Sequence, residues 1–152
     1  MVENTDTGKS ALLLLGCPEV PVQTTLALYL ADRLRKKGIS AVVAGTNSPR
    51  TLLTMADPDK HYISSTVDLD RFIDDLAEKR VDYPLCFVFI HNDAGISYAA
   101  TIAALSQARL FLIIFGKEAE SLAKEVNFKA EILAAKAVHN PLPLKRKIDE
   151  VT

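Results

Sequence analysis

The chain has 152 residues, 49% of them hydrophobic and 24% charged, with 18 Lys and Arg against 19 Asp and Glu for a formal charge of −1. This is the length of one domain and the composition of a globular protein, which excludes a disordered chain. The balanced charge lacks the basic excess by which proteins hold nucleic-acid phosphates or anionic lipid, and two cysteines, Cys17 and Cys86, are too few for a disulfide scaffold and fit a reducing cytoplasm.

Residues 1–152 read as a single α/β domain, with residues 1–10 or so flexible. Gly8-Lys9-Ser10 resembles the tail of a phosphate-binding P-loop, but the motif needs a glycine where the chain has Glu3, and a strand before it. Leu14-Leu15-Gly16-Cys17 resembles a lipoprotein cleavage box, yet its apolar run is shorter than the roughly 7–15 residues of a signal sequence, and Glu3 and Asp6 spoil the basic leader. Residues 11–15 are the first strand. Residues 21–37 are a helix with Leu26, Leu30 and Leu34 four apart, cations Arg33, Arg35, Lys36 and Lys37 at its C-terminal end, and Gly38 as its stop. Residues 39–44 are the second strand, and Ser48-Pro49 caps a short helix over 49–55.

A loop over 56–65 surrounds Asp57-Pro58, followed by an amphipathic helix over 66–79 with Val67, Phe72, Ile73 and Leu76 inward. Residues 85–90 are the third strand. Asp93 caps a nearly uncharged helix to Gln107, and 110–115 is the fourth strand. Residues 94–115 fall short of the ~18 continuous apolar residues of a membrane span, because Gly95, Ser97, Ser106, Gln107 and Arg109 interrupt them. A helix over 117–126, a fifth strand over 130–137 and a last helix capped by Asn140-Pro141 complete the chain. Solidly apolar strands alternating with helices specify a mostly parallel five-stranded sheet covered on both faces: a three-layer α/β/α sandwich, flavodoxin-like or Rossmann-like.

Sheets of this class bind ligands beyond the carboxyl ends of their strands. The tips there hold Cys17 and Glu19 after the first strand, Thr46 and Asn47 after the second, His91, Asn92 and Asp93 after the third, Lys117 after the fourth, and His139 and Asn140 after the fifth. Cys17 stands between a strand and a helix, where a thiolate is stabilised; it equally fills a tight turn as a small residue. Asn92-Asp93 and Asn140 have helix capping as their plainer role, and Glu19 has helix-dipole compensation. Cys17, His91 and His139 match no known metal-ligand spacing, so no metal is expected. No G-x-G-x-x-G follows the first strand, and Pro18 and Pro21 remove amide donors where a diphosphate would need them.

Gly16-Cys17-Pro18-Glu19-Val20-Pro21-Val22-Gln23 and His139-Asn140-Pro141-Leu142-Pro143-Leu144, with Ala56-Asp57-Pro58 and Asn92-Asp93, resemble a small archaeal family found mainly in methanogens and known as a domain of unknown function. The resemblance implies a three-layer α/β sandwich and a cytoplasmic setting, and it supplies no activity or cofactor. Members of that family carry another residue at the position of His91, which marks His91 as a poor candidate for an essential ligand. A fainter likeness, over the first helix and second strand, is to sulfur-relay proteins of the DsrE type, whose working cysteine matches neither Cys17 nor Cys86.

Three functions are therefore expected in turn. The first is binding of a small ligand of unknown identity, with or without catalysis, by Cys17, Glu19, Gln23, Asn92, Asp93, His139 and Asn140. The second is a non-catalytic subunit or assembly factor of a methanogen enzyme complex, and the third is thiol or sulfur chemistry at Cys17. Ile96, Tyr98, Ala99, Ala100, Ile102, Ala103, Ala104 and Leu105 leave the helix after Asp93 almost no polar face, which predicts a homodimer built on it.

Overall fold

Alternate side chains of a strand leave it on opposite sides. In the computed structural model, which describes residues 10–152, this divides the apolar runs between two cores. Ala11, Leu13, Val43, Phe87, Phe89, Phe111, Ile113 and Leu133 pack on one face of the sheet; Leu12, Leu14, Ala44, Cys86, Val88, Ile90, Leu112 and Ile114 pack on the other. Gly8 and Lys9 of the P-loop-like tripeptide and the segment expected to be flexible lie, apart from Ser10, outside the described residues.

The described elements are β1 (Ser10–Leu14), α1 (Val22–Lys36), β2 (Ser40–Gly45), α2 (Asn47–Ala56), β3 (Ile63–Asp68), α3 (Leu69–Ala77), β4 (Leu85–Ile90), α4 (Asp93–Leu105), β5 (Arg109–Ile114), α5 (Ala119–Lys124), β6 (Glu131–Ala134) and α6 (Leu142–Val151). Every strand pair is parallel, in the order β3-β2-β1-β4-β5-β6. Leu13 sits beside Val43 on one side and Phe87 on the other, and Phe87 beside Phe111, whose ring it stacks on at 4.6 Å. Helices α1, α2 and α6 bury Leu26, Leu30, Leu53, Leu144 and Ile148 against the first face. Helices α3, α4 and α5 bury Phe72, Leu76, Ala99, Ile102 and Leu122 against the second. The result is a three-layer sandwich with the doubly wound strand order of the Rossmann class. Among the described residues, no helix is long and apolar enough to cross a membrane.

The sheet has six strands where the sequence predicts five. β3 lies inside the segment expected to be a loop and the start of a helix. It is an edge strand whose Ser64, Ser65 and Thr66 are exposed, so it carries no apolar run to announce it. Helix α3 accordingly begins at Leu69, with Asp68 Oδ2 accepting from Arg71 N at 3.2 Å as its cap. The cap of α2 is Thr46 instead of Ser48, and Pro49 is buried in the first turn. Asn92, one residue before the expected Asp93, caps α4 by accepting from Gly95 N at 3.2 Å.

The weak polarity of α4 has a packing cause. A Cβ on Gly95 would meet Ile90 Cα, Cγ1 and Cγ2 at 3.1 Å, so only glycine lets the helix lie this close to β4. Ala99 and Ile102 complete the contact, while Ser97, Ala100 and Ala104 face outward.

Candidate functional site

The strand order reverses between β1 and β4: the chain runs outward from β1 through β2 to β3, then returns to start again at β4. The crevice at such a switch point, beyond the carboxyl ends of the two strands, is the position at which open α/β sheets take ligands. One wall is the β1–α1 connection. Leu15 still donates to Ala44 O at 2.9 Å, after which Glu19 N donates to Cys17 O at 2.8 Å, closing a three-residue turn on Pro18. The Cys17 side is exposed. Beneath this turn Gln23 is 1% exposed and donates through Nε2 to Gly16 O at 2.9 Å. Its Oε1 is buried with no hydrogen-bond partner among the described residues.

The amides at the start of α1 are already used. Val22 N donates to Val138 O at 3.1 Å and Gln23 N to Val20 O at 3.2 Å, and Pro18 and Pro21 have none to offer. The loop therefore lacks the converging N–H groups that hold a pyrophosphate in nucleotide-binding members of this fold class.

The other wall is His91, directly after β4. Its side chain is only 7% exposed, and its ring lies 5.5 Å from that of Phe115. Gly16 and Gly116 border it: a Cβ on Gly16 would lie 3.7 Å from Cε1, and one on Gly116 3.7 Å from the His91 Cβ. Gly116 also has φ +92°, which a side chain would strain, and its N–H donates to Ala137 O at 2.8 Å. His91 Nε2 lies 3.1 Å from Glu19 Oε1. A carboxylate only accepts, so this bond places the proton on Nε2. The Asn92 Nδ2, 3.5 Å from the same Nε2, is then a second donor in contact and not a hydrogen-bond partner.

The crevice brings together Cys17, Glu19, Gln23 and Asn92 of the sequence-derived set, and adds His91, which the family resemblance had set aside. Its place at a carboxyl strand end was the available signal. The remaining three point elsewhere. Asp93 faces Glu125 just past α5; loss of hydration, then the Asp93 charge and a hydrogen bond to it, hold the Glu125 carboxyl above its ordinary range. His139 is exposed with no hydrogen bond to a described residue, and Asn140 Oδ1 accepts from Leu142 N at 3.1 Å in a turn that leads into α6, whose N-cap is Pro141 and not the expected Asn140. Among the described residues no three His, Cys, Asp or Glu side chains converge as metal ligands.

Two clefts of about 460 and 480 Å³ open at the opposite, amino-terminal edge of the sheet. Several of their polar groups are paired: Arg109 Nε with Glu131 Oε2 at 2.5 Å, Ser106 Oγ with Asp82 Oδ1 at 2.5 Å, and Gln107 N with Asp82 Oδ2 at 2.9 Å.

Residues 12–151 match the family described as a domain of unknown function, DUF1890, and the chain belongs to that family. It is 33% identical over 149 residues to the uncharacterized protein MJ0452 of Methanocaldococcus jannaschii, covering 93% of this chain and 96% of that protein. The solved structure of MT0777 superposes with a TM-score of 0.87 at 40% identity, over 93% of this chain and 95% of that one. The ADP/ATP-dependent NAD(P)H-hydrate dehydratase from Bacillus subtilis shares the fold, with a TM-score of 0.52 at 19% identity over 86% of this chain and 45% of that one.

Proposed function

We propose that this DUF1890 member binds a small ligand in the crevice between the β1–α1 turn and the end of β4, in a cytoplasmic setting. The observation that carries the reading is the Glu19–His91 pair, an imidazole wedged among Gly16, Gly116 and Phe115 and held by an exposed carboxylate at the strand-order switch. An imidazole is the side chain suited to exchange a proton near neutral pH, and a carboxylate on one ring nitrogen fixes its tautomer and orientation. The pair thus gives the crevice a group able to orient a ligand or to act on it. Cys17 and Asn92 flank the pair, and Gln23 lies buried beneath the β1–α1 turn.

A thermal-shift screen of the full chain against a metabolite collection tests this. A ligand present at 100 times its Kd stabilises by about 2.7 kcal/mol, a shift easily measured. We expect at least one compound whose stabilisation disappears in His91→Ala and weakens in Glu19→Gln. A set of hits that all survive both substitutions places binding elsewhere and ends the proposal.

A further inference from the structure

We infer that the ligand of this crevice is a hydrogen-bond donor of the amine or ammonium class, and not a phosphorylated molecule, with the Gln23 carboxamide oxygen and the Glu19 carboxylate as its acceptors. The inference rests on the site reading above and adds the ligand's chemistry. Two acceptors stand unspent at the crevice. Gly16 O accepts from Gln23 Nε2, which fixes the amide's orientation and leaves Oε1 as an acceptor with no donor, inside a side chain that is 1% exposed. Buried acceptors are nearly always paired, so an orphan beneath the turn of a candidate site points to a missing donor. Glu19 spends Oε1 on His91 and leaves its other oxygen on a side chain that is 65% exposed.

The backbone donors at the start of α1 are spent, and the Asn92 Nδ2 remains as a side-chain donor beside His91. The first two amides of α1 go to Val138 O and Val20 O, and the two prolines carry none. An ammonium group supplies up to three donors and a positive charge, complementing both the carboxylate and the orphan oxygen. A phosphate supplies only acceptors and would meet the Glu19 charge. Reaching Oε1 requires the Cys17–Pro18–Glu19 turn to lift. The Glu19–His91 bond ties this turn to the end of β4, and Val20, next in the chain, packs on the first core.

The test is a nuclear magnetic resonance titration of the ¹⁵N-labelled full chain with methylammonium chloride, against sodium phosphate and sodium chloride at matched ionic strength. Methylammonium is expected to produce saturable shifts at the Gln23 side-chain amide and the Gly16 and Gly116 backbone amides. Phosphate should add nothing beyond the chloride control. Glu19→Gln, which leaves the buried groups in place, should weaken methylammonium at least tenfold. Saturable phosphate shifts at the same amides overturn the inference while leaving the crevice as the site. The absence of saturable methylammonium shifts there also overturns it, as does a long-lived water contacting Gln23 that methylammonium does not displace. In those cases the metabolite screen separates the two claims, because a hit that shifts Gly16 and His91 keeps the site and hits mapping elsewhere remove both.

Discussion

Glu19 Oε1 and His91 Nε2 stand 3.1 Å apart although 72 positions separate the two residues in the chain. The partners are unequally placed: His91 is 7% exposed at the side chain and Glu19 65%. His91→Ala removes ring packing on Phe115 and should cost about 1–3 kcal/mol, the usual range for truncating a buried group. Glu19→Ala removes one hydrogen bond made by an exposed side chain and should stay within about 0.5 kcal/mol. Urea unfolding measures both. Equal, large losses would mean that the pair is a structural tie and not a poised site.

Asp57 is the buried carboxylate of the fold. Its Oδ1 accepts from His61 N at 2.7 Å and its Oδ2 from Tyr62 N at 3.0 Å and Ile63 N at 2.9 Å, which ties the α2–β3 connection to the start of β3. Burial pushes its pKa up, but the bonds from Ile63, Tyr62 and His61 outweigh that and hold it below the ordinary aspartate value. A carboxyl depressed in the folded state contributes stability that is fully present above its unfolded pKa and lost as pH falls through the folded one. The contribution therefore fades below about pH 4. Asp57→Ala strands three amides and should destabilise by about 3–5 kcal/mol at pH 7. The gap from wild type should narrow on acidification, and a difference that stays constant from pH 7 to pH 2.5 would refute the charged role.

The two thiols should separate cleanly by reagent access. Cys17 is exposed, whereas Cys86 lies in β4 at 2% exposure, where burial pushes its thiol up. Iodoacetamide on the native protein should label Cys17 alone, with Cys86 reacting only after unfolding in guanidinium. Labelling of Cys86 at a comparable native rate would show that β4 opens locally.

How much of this was legible follows from what each residue is asked to do. β4 was read from Leu85 to Ile90 with its true bounds, because a strand buried on both faces must be apolar at every position. β3 was missed because an edge strand whose Ser64, Ser65 and Thr66 are exposed carries neither an apolar run nor a clean alternation. Asp57 looked like a turn residue beside Pro58; its three amide partners follow it within six positions, but a strand had to start there before they could converge on it. At the candidate site, Cys17, Glu19 and Gln23 are grouped by sequence alone, because one short stretch of chain carries all three from the end of β1 into α1. The His91 contact joins two connections across the sheet and depends on the strand order, which periodicity does not contain. Asp93, His139 and Asn140 share the carboxyl edge in sequence terms, yet their side chains meet Glu125, solvent and the turn before α6.

The proposed homodimer through α4 can be tested together with the helix's orientation. Gly95→Ala should destabilise by about 1–2 kcal/mol. The new methyl meets the backbone of Ile90 as well as its side chain at 3.1 Å, and this overpacking exceeds the helix-propensity gain of roughly 1 kcal/mol. Ala103 is half-buried against the second core, so Ala103→Glu should lower the melting temperature by several degrees. Ala100 faces outward with Ser97 and Ala104, and Ala100→Glu should leave the fold intact. These small residues allow a two-fold mate to approach closely, and the 40%-exposed Leu105 gives the contact its one large apolar side chain. Exposed alanines cost little, however, so the burial argument for a partner is weaker than the sequence alone made it. Sedimentation equilibrium at micromolar concentration decides: the proposal requires a dimer mass for the wild type and a monomer mass for Ala100→Glu at unchanged melting temperature. A concentration-independent monomer in the wild type removes the dimer and leaves close packing on β4 as the whole reason for the helix's composition.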